Sequence, residues 1–308
     1  MNFIYFGSSK FSCLVLEILI EKGFLPFLIV TQPDKPKKRG WSVLPTPLGE
    51  FSQRKNFVVI KPLKLDEKVK EELRRIEPDF FIVADYGKIL PKDYLALPKK
   101  MPLGLHPSLL PLYRGPAPIN WAIINGEKET GVSVFEMNEK PDKGEIILQK
   151  KISIEENDNI ISLTNKLAKE GGKVLTEAIE KINKGCCHLI PQDEKKSSFA
   201  PKLRKDDGKI DWNKEAIQIR NLIRGVLEWP SAYTRYKDKL VKIIEAEVIE
   251  EEVLSEPSFI VKIDKGGICV STKKGLLKIK RLKPEGKREM DAFSFVCGYR
   301  VKEGDRFY

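Results

Sequence analysis

The first third of the chain alternates short apolar runs with helical patterns, and this alternation constrains the fold more than any other feature. Four runs have the length and composition of buried strands: residues 3–6, 26–30, 57–60 and 80–84. Apolar residues recur at helical spacing over 11–20, and a charged helical pattern covers 66–76. Strands that alternate with helices form a parallel sheet with helices on its faces. We therefore predict an α/β fold with a Rossmann-like, mostly parallel sheet.

The same domain continues through three more strands and a long helix. The strands are predicted at 103–106, 131–137 and 145–149, and an amphipathic helix at 160–182 closes the domain. Residues 185–204 then break the pattern with proline, glutamine, serine and charged residues, a composition that favours a linker.

The remaining residues predict a smaller second domain. A helix at 215–226 precedes short apolar runs at 241–249, 259–263, 268–271 and 276–282. Short strands separated by turn residues favour a small barrel like the oligonucleotide-binding (OB) fold. We predict a first domain at 1–188, a linker at 189–205 and an OB-like β-barrel domain at 206–308.

Charge and cysteine content limit the possible partners. A formal net charge of +11 favours a polyanionic partner, because basic side chains that neutralise phosphates release counterions. Many basic proteins nevertheless bind no nucleic acid. The five cysteines lack the paired spacing of a disulfide framework or a zinc site, and Cys186-Cys187-His188 is a poor ligand set because adjacent cysteines rarely reach one ion. No apolar run approaches the ~20 residues that span a bilayer. We expect a cytoplasmic protein without a metal.

The most informative segment is residues 104–121, which read GLHPSLLPLYRGPAPINW. His106 stands at the carboxyl end of a predicted parallel strand, where open α/β sheets place their ligands. An imidazole there can exchange protons near neutral pH. A histidine at a strand end is as often structural, so position alone leaves both interpretations open.

This segment, together with TGVSVFEMNEKPDKGEII at 130–147, resembles the folate-dependent formyltransferases. Further segments resemble that family in order and spacing: FGSSKFS, TQPDKPKKRG, VADYGKILP, FAPKLRKDDGKIDW and LKPEGKREM. The later segments narrow the resemblance to members that formylate methionyl-tRNA. The resemblance implies transfer of a formyl group from 10-formyltetrahydrofolate, as co-substrate, to the amino group of initiator methionyl-tRNA by a monomeric enzyme.

By the same resemblance, the catalytic residues are His106 and Asp142. Without it, Asp142 would be interpreted as a turn aspartate before Lys143-Gly144. The family has an asparagine two residues before the histidine, where this chain has Gly104. Loss of one oxyanion donor typically costs about 2.7–4 kcal/mol. A water in the vacated volume, a backbone N–H or His106 alone could compensate.

Substrate-binding residues follow from the resemblance and from the charge pattern. The resemblance implies that folate is bound by Ser108, Leu109, Leu110, Pro111, Tyr86, Gly87 and Ile89. The resemblance places Lys38 and Arg39 of a basic loop on the tRNA acceptor stem. Lys278 and Lys280 alternate with Leu277 and Ile279, so a strand there would present two lysines for phosphate contacts while burying its other face.

Two other functions stay open on sequence grounds. A formyltransferase acting on an amino sugar nucleotide would have a similar first domain, whereas the basic second domain and the basic loop favour tRNA. A catalytically impaired homologue that binds tRNA or folate is the second alternative, and it depends on Gly104 alone.

Overall fold

The computed structural model describes residues 1–36, 43–251 and 255–308. The chain forms two compact units, one of Met1–Pro118, Glu129–Ser153 and Thr164–Pro201, the other of Ile119–Lys128, Ile154–Leu163 and Lys202–Tyr308. The helices are α1 (Lys10–Glu21), α2 (Pro47–Arg54), α3 (Glu67–Arg75), α4 (Lys92–Leu95), α5 (Pro118–Ile124), α6 (Ile160–Asn183), α7 (Ala216–Gly225) and α8 (Ala292–Tyr299). The strands are β1 (Phe3–Gly7), β2 (Leu28–Val30), β3 (Lys35–Pro36), β4 (Val43–Leu44), β5 (Val59–Ile60), β6 (Phe80–Ala84), β7 (Met101–His106), β8 (Glu129–Glu136), β9 (Ile146–Ser153), β10 (Ala232–Tyr236), β11 (Lys239–Ile249), β12 (Ile260–Asp264), β13 (Gly267–Ser271), β14 (Leu276–Pro284) and β15 (Met290–Asp291).

The first unit is built on a seven-stranded sheet in the order β5-β2-β1-β6-β7-β8-β9. The strands from β5 to β7 are parallel, and β8 and β9 add two antiparallel strands at one edge. β1 and β6 are buried throughout, as their apolar runs predict for central parallel strands. The predicted Rossmann-like, mostly parallel sheet is confirmed. The chain leaves β1 toward β2 and returns on its other side at β6, so the ligand crevice of this topology lies at the carboxyl ends of these strands.

Side-chain caps begin the helices that cover this sheet. Ser9 accepts the backbone N–H of Ser12 at the start of α1, and Asp66 caps α3 in the same way. Thr46 caps α2, whose first residue is Pro47. These residues satisfy N–H groups that have no partner within the helix, and they fix where each helix begins.

The second unit is an antiparallel sheet in the order β10-β11-β14-β13-β12, with β15 paired to β14. The carboxyl-terminal residues bridge its two edge strands: the Arg235 N–H of β10 donates to the Tyr308 carbonyl at 2.9 Å, and the Ile260 N–H of β12 donates to the Asp305 carbonyl at 2.8 Å. Phe307 is fully buried within this sheet and stacks on Trp212 at 5.7 Å between ring centroids. The small barrel-like domain predicted from the short strands is confirmed.

The segment after α6 is tied to the first unit. Ile146 and Ile190 exchange backbone hydrogen bonds, and the Ser198 N–H donates to the Pro111 carbonyl at 3.2 Å. The first unit accordingly extends to Pro201, inside the stretch that its composition predicted as a linker. The polar side chains of this stretch make internal contacts that composition alone does not reveal.

Candidate active site

His106 is the last residue of β7 and is only 6% exposed. Its Nε2 lies 2.8 Å from the Tyr113 carbonyl oxygen. Because a carbonyl oxygen only accepts hydrogen bonds, Nε2 carries the hydrogen and the tautomer is fixed. Nδ1 is then the ring atom that can exchange a proton at the site.

Asp142 faces this second nitrogen from the turn between β8 and β9. Its Oδ1 lies 3.7 Å from His106 Nδ1, and its Oδ2 accepts the Gly115 backbone N–H at 2.9 Å. The 3.7 Å separation is too long for a direct hydrogen bond but short enough for a strong charge interaction when the ring is protonated. The structure therefore brings together the two residues that the resemblance implies for catalysis, which lie 36 positions apart in the chain.

Gly104 lies on the same face of β7 as His106 and pairs directly with Phe135 of β8. A Cβ atom at position 104 would lie 2.4 Å from Cζ and 2.5 Å from Cε1 of the Phe135 ring. The ring therefore occupies the space of an asparagine side chain, and compensation by a water in that volume is wrong. A backbone N–H or His106 itself remains as the oxyanion donor.

The loop after β7 contains the Ser-Leu-Leu-Pro residues expected to bind folate. The Ser108 hydroxyl donates to the Leu112 carbonyl at 2.6 Å, and both Ser108 and Leu110 are buried. Leu109 and Pro111 are partly exposed. The buried pair therefore fixes the shape of the loop, and Leu109 and Pro111 are the members whose side chains reach its surface.

Two residues that the sequence did not indicate hold this loop against β8 and β9. The Ser133 hydroxyl donates to the Ser108 carbonyl at 2.6 Å and accepts the Leu110 N–H at 3.0 Å. The Gln149 side-chain amide donates to the Leu110 carbonyl and to Ser133 Oγ, both at 2.8 Å. Ser133 is a polar residue between the apolar residues Val132 and Val134 of a strand, and this could have identified it.

The loop after β6 lies beside His106, because β6 and β7 are neighbouring parallel strands. The Tyr86 ring packs 5.5 Å from Phe6, and burial raises the pKa of its hydroxyl to about 12. The Tyr86 carbonyl already accepts from Ser8 Oγ and from the Gln32 side-chain amide. Ile89 is 67% exposed. Of the residues expected to bind folate in this loop, Ile89 is the one with an accessible side chain.

Gly87, the remaining residue of that loop, has φ +77, a conformation that favours glycine. A Cβ there would lie 2.4 Å from Gln32 Nε2. Gly87 therefore allows the loop to approach Gln32 closely.

The structure describes two of the four basic residues that were predicted to contact tRNA. Lys38 and Arg39 lie outside the described residues. Lys278 and Lys280 project from β14 while Leu277 and Ile279 are buried, as the alternation predicts. Lys278 Nζ lies 3.0 Å from Asp264 Oδ2, and the hydrogen bond to Asp264 raises the pKa of this lysine; Lys280 Nζ lies 2.6 Å from Glu247 Oε2. A phosphate would have to compete with these carboxylates.

The described residues were expected to hold neither a metal cluster nor a membrane-spanning helix. Within residues 1–36, 43–251 and 255–308, no group of three or more His, Cys, Asp or Glu is arranged to hold a metal ion. No helix in the same described part of the chain is long and apolar enough to cross a membrane.

Both parts of the chain are similar to known proteins. The family profile described as Formyl transferase matches residues 1–179, and the one described as Formyl transferase, C-terminal domain, matches 202–300. A protein named methionyl-tRNA formyltransferase from Thermodesulfovibrio yellowstonii is 44% identical over 302 residues, covering 98% of this chain and 97% of that protein. Another of that name from Caldicellulosiruptor saccharolyticus is 40% identical, covering 99% of both chains.

Solved structures with the same fold include an N-formyltransferase from Helicobacter canadensis in complex with folinic acid and dTDP-3-aminofucose. It has a TM-score of 0.68 at 19% identity, and the match covers 94% of this chain and 99% of that one. HypX from Aquifex aeolicus in complex with tetrahydrofolic acid gives a TM-score of 0.64 at 17% identity, covering 100% of this chain and 50% of that one. Identities this low establish a shared fold only.

Proposed function

Because this chain belongs to the formyl transferase family, we propose that it transfers a formyl group from 10-formyltetrahydrofolate to the free amino group of initiator methionyl-tRNA. The observation that carries the proposal is the convergence of His106 Nδ1 and Asp142 Oδ1, 3.7 Å apart, at the carboxyl edge of the parallel sheet. Full-length similarity to proteins named for methionyl-tRNA supports this acceptor over an amino sugar nucleotide.

The chemistry requires one proton to leave the attacking amine and another to reach the departing folate nitrogen. A neutral amine attacks the formyl carbon, and the tetrahedral intermediate carries an oxyanion and an ammonium group. His106 Nδ1 is suited to receive the amine proton, because Nε2 is committed to the Tyr113 carbonyl. Asp142 stabilises the resulting imidazolium by charge, and the Gly115 N–H fixes the orientation of its carboxylate.

The oxyanion needs a hydrogen-bond donor in place of the missing amide. Since the Phe135 ring fills the space beside Gly104, we assign this role to the Nδ1–H that His106 gains from the amine. The same proton then passes from Nδ1 to the departing folate nitrogen. A single donor stabilises the intermediate less than two donors would. We therefore expect a slower chemical step than in relatives that carry the asparagine.

The substrate contacts complete the proposal. Leu109, Pro111 and Ile89 form the accessible apolar wall for the flat folate, and Ser108, Leu110, Tyr86 and Gly87 set the shape of the two loops. Lys38, Arg39, Lys278 and Lys280 contact tRNA phosphates, in keeping with the net charge of +11. The enzyme acts as a cytoplasmic monomer.

The test measures transfer of labelled formyl from 10-formyltetrahydrofolate to three acceptors under identical conditions: initiator methionyl-tRNA, the same tRNA without methionine, and a dTDP-amino sugar. Transfer to methionyl-tRNA alone supports the proposal. Preferential transfer to the amino sugar would support the alternative acceptor. Binding of folate and tRNA without transfer to any acceptor would identify a non-catalytic homologue.

A further inference from the structure

A buried arginine connects the candidate site to the segment that follows α6. Arg114 is 5% exposed and lies in the loop after β7, between Tyr113, whose carbonyl accepts from His106, and Gly115, whose N–H donates to Asp142. Its guanidinium donates to both carboxylate oxygens of Glu194, at 2.9 and 2.8 Å. Residues 189–200, here called the strap, thus contact the loop that holds both His106 and Asp142.

Gln192 of the strap uses its whole hydrogen-bonding capacity at this point. Its Oε1 accepts from Arg114 Nε at 3.1 Å and Nη2 at 2.8 Å. Its Nε2 donates to the Asp142 carbonyl at 3.0 Å and to the Gly144 carbonyl at 2.7 Å. A carboxamide has two donor hydrogens and two acceptor lone pairs, so this environment determines its orientation completely.

The turn that Gln192 holds adopts a conformation that an aspartate adopts only occasionally. Asp142 has φ 56, in the left-handed region, and a Cβ at Gly144 would lie 1.6 Å from the Glu136 carbonyl oxygen. Such a turn persists where surrounding contacts define it. The two hydrogen bonds from Gln192 reach the carbonyls of Asp142 and Gly144, two residues of this turn.

The strap also fixes the opposite side of the site. The Tyr113 N–H donates to Ser198 Oγ at 2.8 Å, and the Arg114 backbone exchanges hydrogen bonds with Ser198 and Ala200. Tyr113 in turn accepts from His106 Nε2. The same short segment therefore holds the partner of the imidazole and the turn that carries the carboxylate.

We propose that the strap sets the distance between His106 and Asp142, with Gln192 as the positioning residue for the Asp142 turn. This inference rests on the proposed function, because it assigns Gln192 a role in the formyl-transfer step. Gln192 touches no reacting atom. Its effect is exerted entirely through the orientation of Asp142.

The decisive substitution is Gln192→Glu. A carboxylate keeps the acceptors for Arg114, so the anchor is retained, but it removes the donors and turns negative oxygens toward two carbonyls. We expect kcat to fall about 10- to 100-fold, because small misplacements of a catalytic group have effects of this size. The KM values for folate and methionyl-tRNA should change less than about twofold, and the unfolding temperature should stay close to that of the wild type.

Two controls separate positioning from a general effect of the substitution. Gln53→Glu introduces the same change in charge at an exposed position on α2 and should leave kcat unchanged. In an Asp142→Asn background, Gln192→Glu should lower kcat by less than about twofold, because residues that act through one group are not additive. An equal loss in both backgrounds would overturn the proposal.

Hydrogen exchange gives a readout that does not require turnover. The Gly115 amide donates to Asp142 Oδ2, so Gln192→Glu should speed its exchange about tenfold while amides of β1 and β6 keep their protection. Unchanged exchange at Gly115 would refute the strap proposal even if the wild type transferred no formyl group, whereas an inactive wild type would refute the proposed function alone.

Discussion

Gly104 and Phe135 form a pair in which the missing side chain of one residue is replaced by the ring of the other. A Cβ at position 104 would lie 2.4 and 2.5 Å from two ring atoms of Phe135, well inside van der Waals contact. Phe135 is 4% exposed and packs with Leu110 and Ile146, so its ring has little room to move. Gly104→Asn should therefore destabilise the protein by about 1–3 kcal/mol, the usual cost of overpacking.

Restoring the amide requires the ring to be removed at the same time. In Gly104→Asn with Phe135→Met, the flexible thioether can move aside and the asparagine can reach the side of His106. The double variant should recover most of the lost stability, which gives a coupling free energy of about 1–3 kcal/mol. Phe135→Met alone is the control and should cost less than about 1.5 kcal/mol, as a conservative apolar change.

Denaturant unfolding measures the stability of the four proteins, and single-turnover formyl transfer measures the chemistry. If His106 is the oxyanion donor, the double variant should react faster than the wild type, by up to about 10²-fold for a regained donor. Gly104→Asn alone should show no such gain, since its side chain has no space. A single variant with unchanged stability and a faster reaction would refute this account of the pair.

The contacts of Ser133, Glu194 and Lys278 each predict a measurable effect. Ser133→Ala removes the hydroxyl that holds the Ser108 carbonyl and the Leu110 N–H, so the KM for folate should rise about 5- to 30-fold with a stability loss of about 1–3 kcal/mol, measured by steady-state kinetics and thermal unfolding. Hydrogen bonds from Arg114 and Lys143 lower the pKa of Glu194 to about 2. The stabilisation from this carboxylate is therefore complete above its unfolded pKa near 4.5 and is lost as the pH falls toward 2. Proteolysis within the strap should be the same at pH 7 and pH 5.5 in the wild type, and Glu194→Gln should be cleaved faster at both pH values. If Lys278 binds a tRNA phosphate, Asp264→Asn should tighten tRNA binding at low salt, because it frees the lysine. Lys278→Met should reduce by about 1 the slope of the logarithm of the tRNA binding constant against the logarithm of the salt concentration. Equal slopes for the wild type and Lys278→Met would show that Lys278 does not contact the tRNA.

The alternation of apolar runs was sufficient to predict most of the parallel sheet and both long helices of the first unit. Helix α5 was not predicted, because its segment PINWAII follows a proline-rich stretch that resembles a loop. Pro118 instead occupies the first helical position, where its missing N–H costs nothing. Helix α8 was also missed, because AFSFVCGY has no charged residue to mark an exposed face, although Asp291 is a recognisable cap.

Only part of the candidate site could be predicted from the sequence. His106 could be placed at a strand end from the sequence, whereas Asp142 was identified only through the resemblance. The neighbour of Gly104 depends on the register of β7 against β8, which no local pattern specifies. The composition of the strap predicts a linker, but its polar residues bind a buried arginine some 80 positions earlier in the chain. Composition cannot indicate a partner that is so distant in sequence.

The proposed function requires His106 and Asp142 to act together on the transferred formyl group. The most direct measurement is the single-turnover rate of formyl transfer to methionyl-tRNA by Asp142→Asn, with folate and tRNA binding measured on the same protein. We expect the transfer rate to fall about 10²- to 10⁴-fold, because the imidazolium loses its partner, while both affinities are retained. A rate within about threefold of the wild type would contradict it, since the charge at position 142 would then contribute little to the transition state.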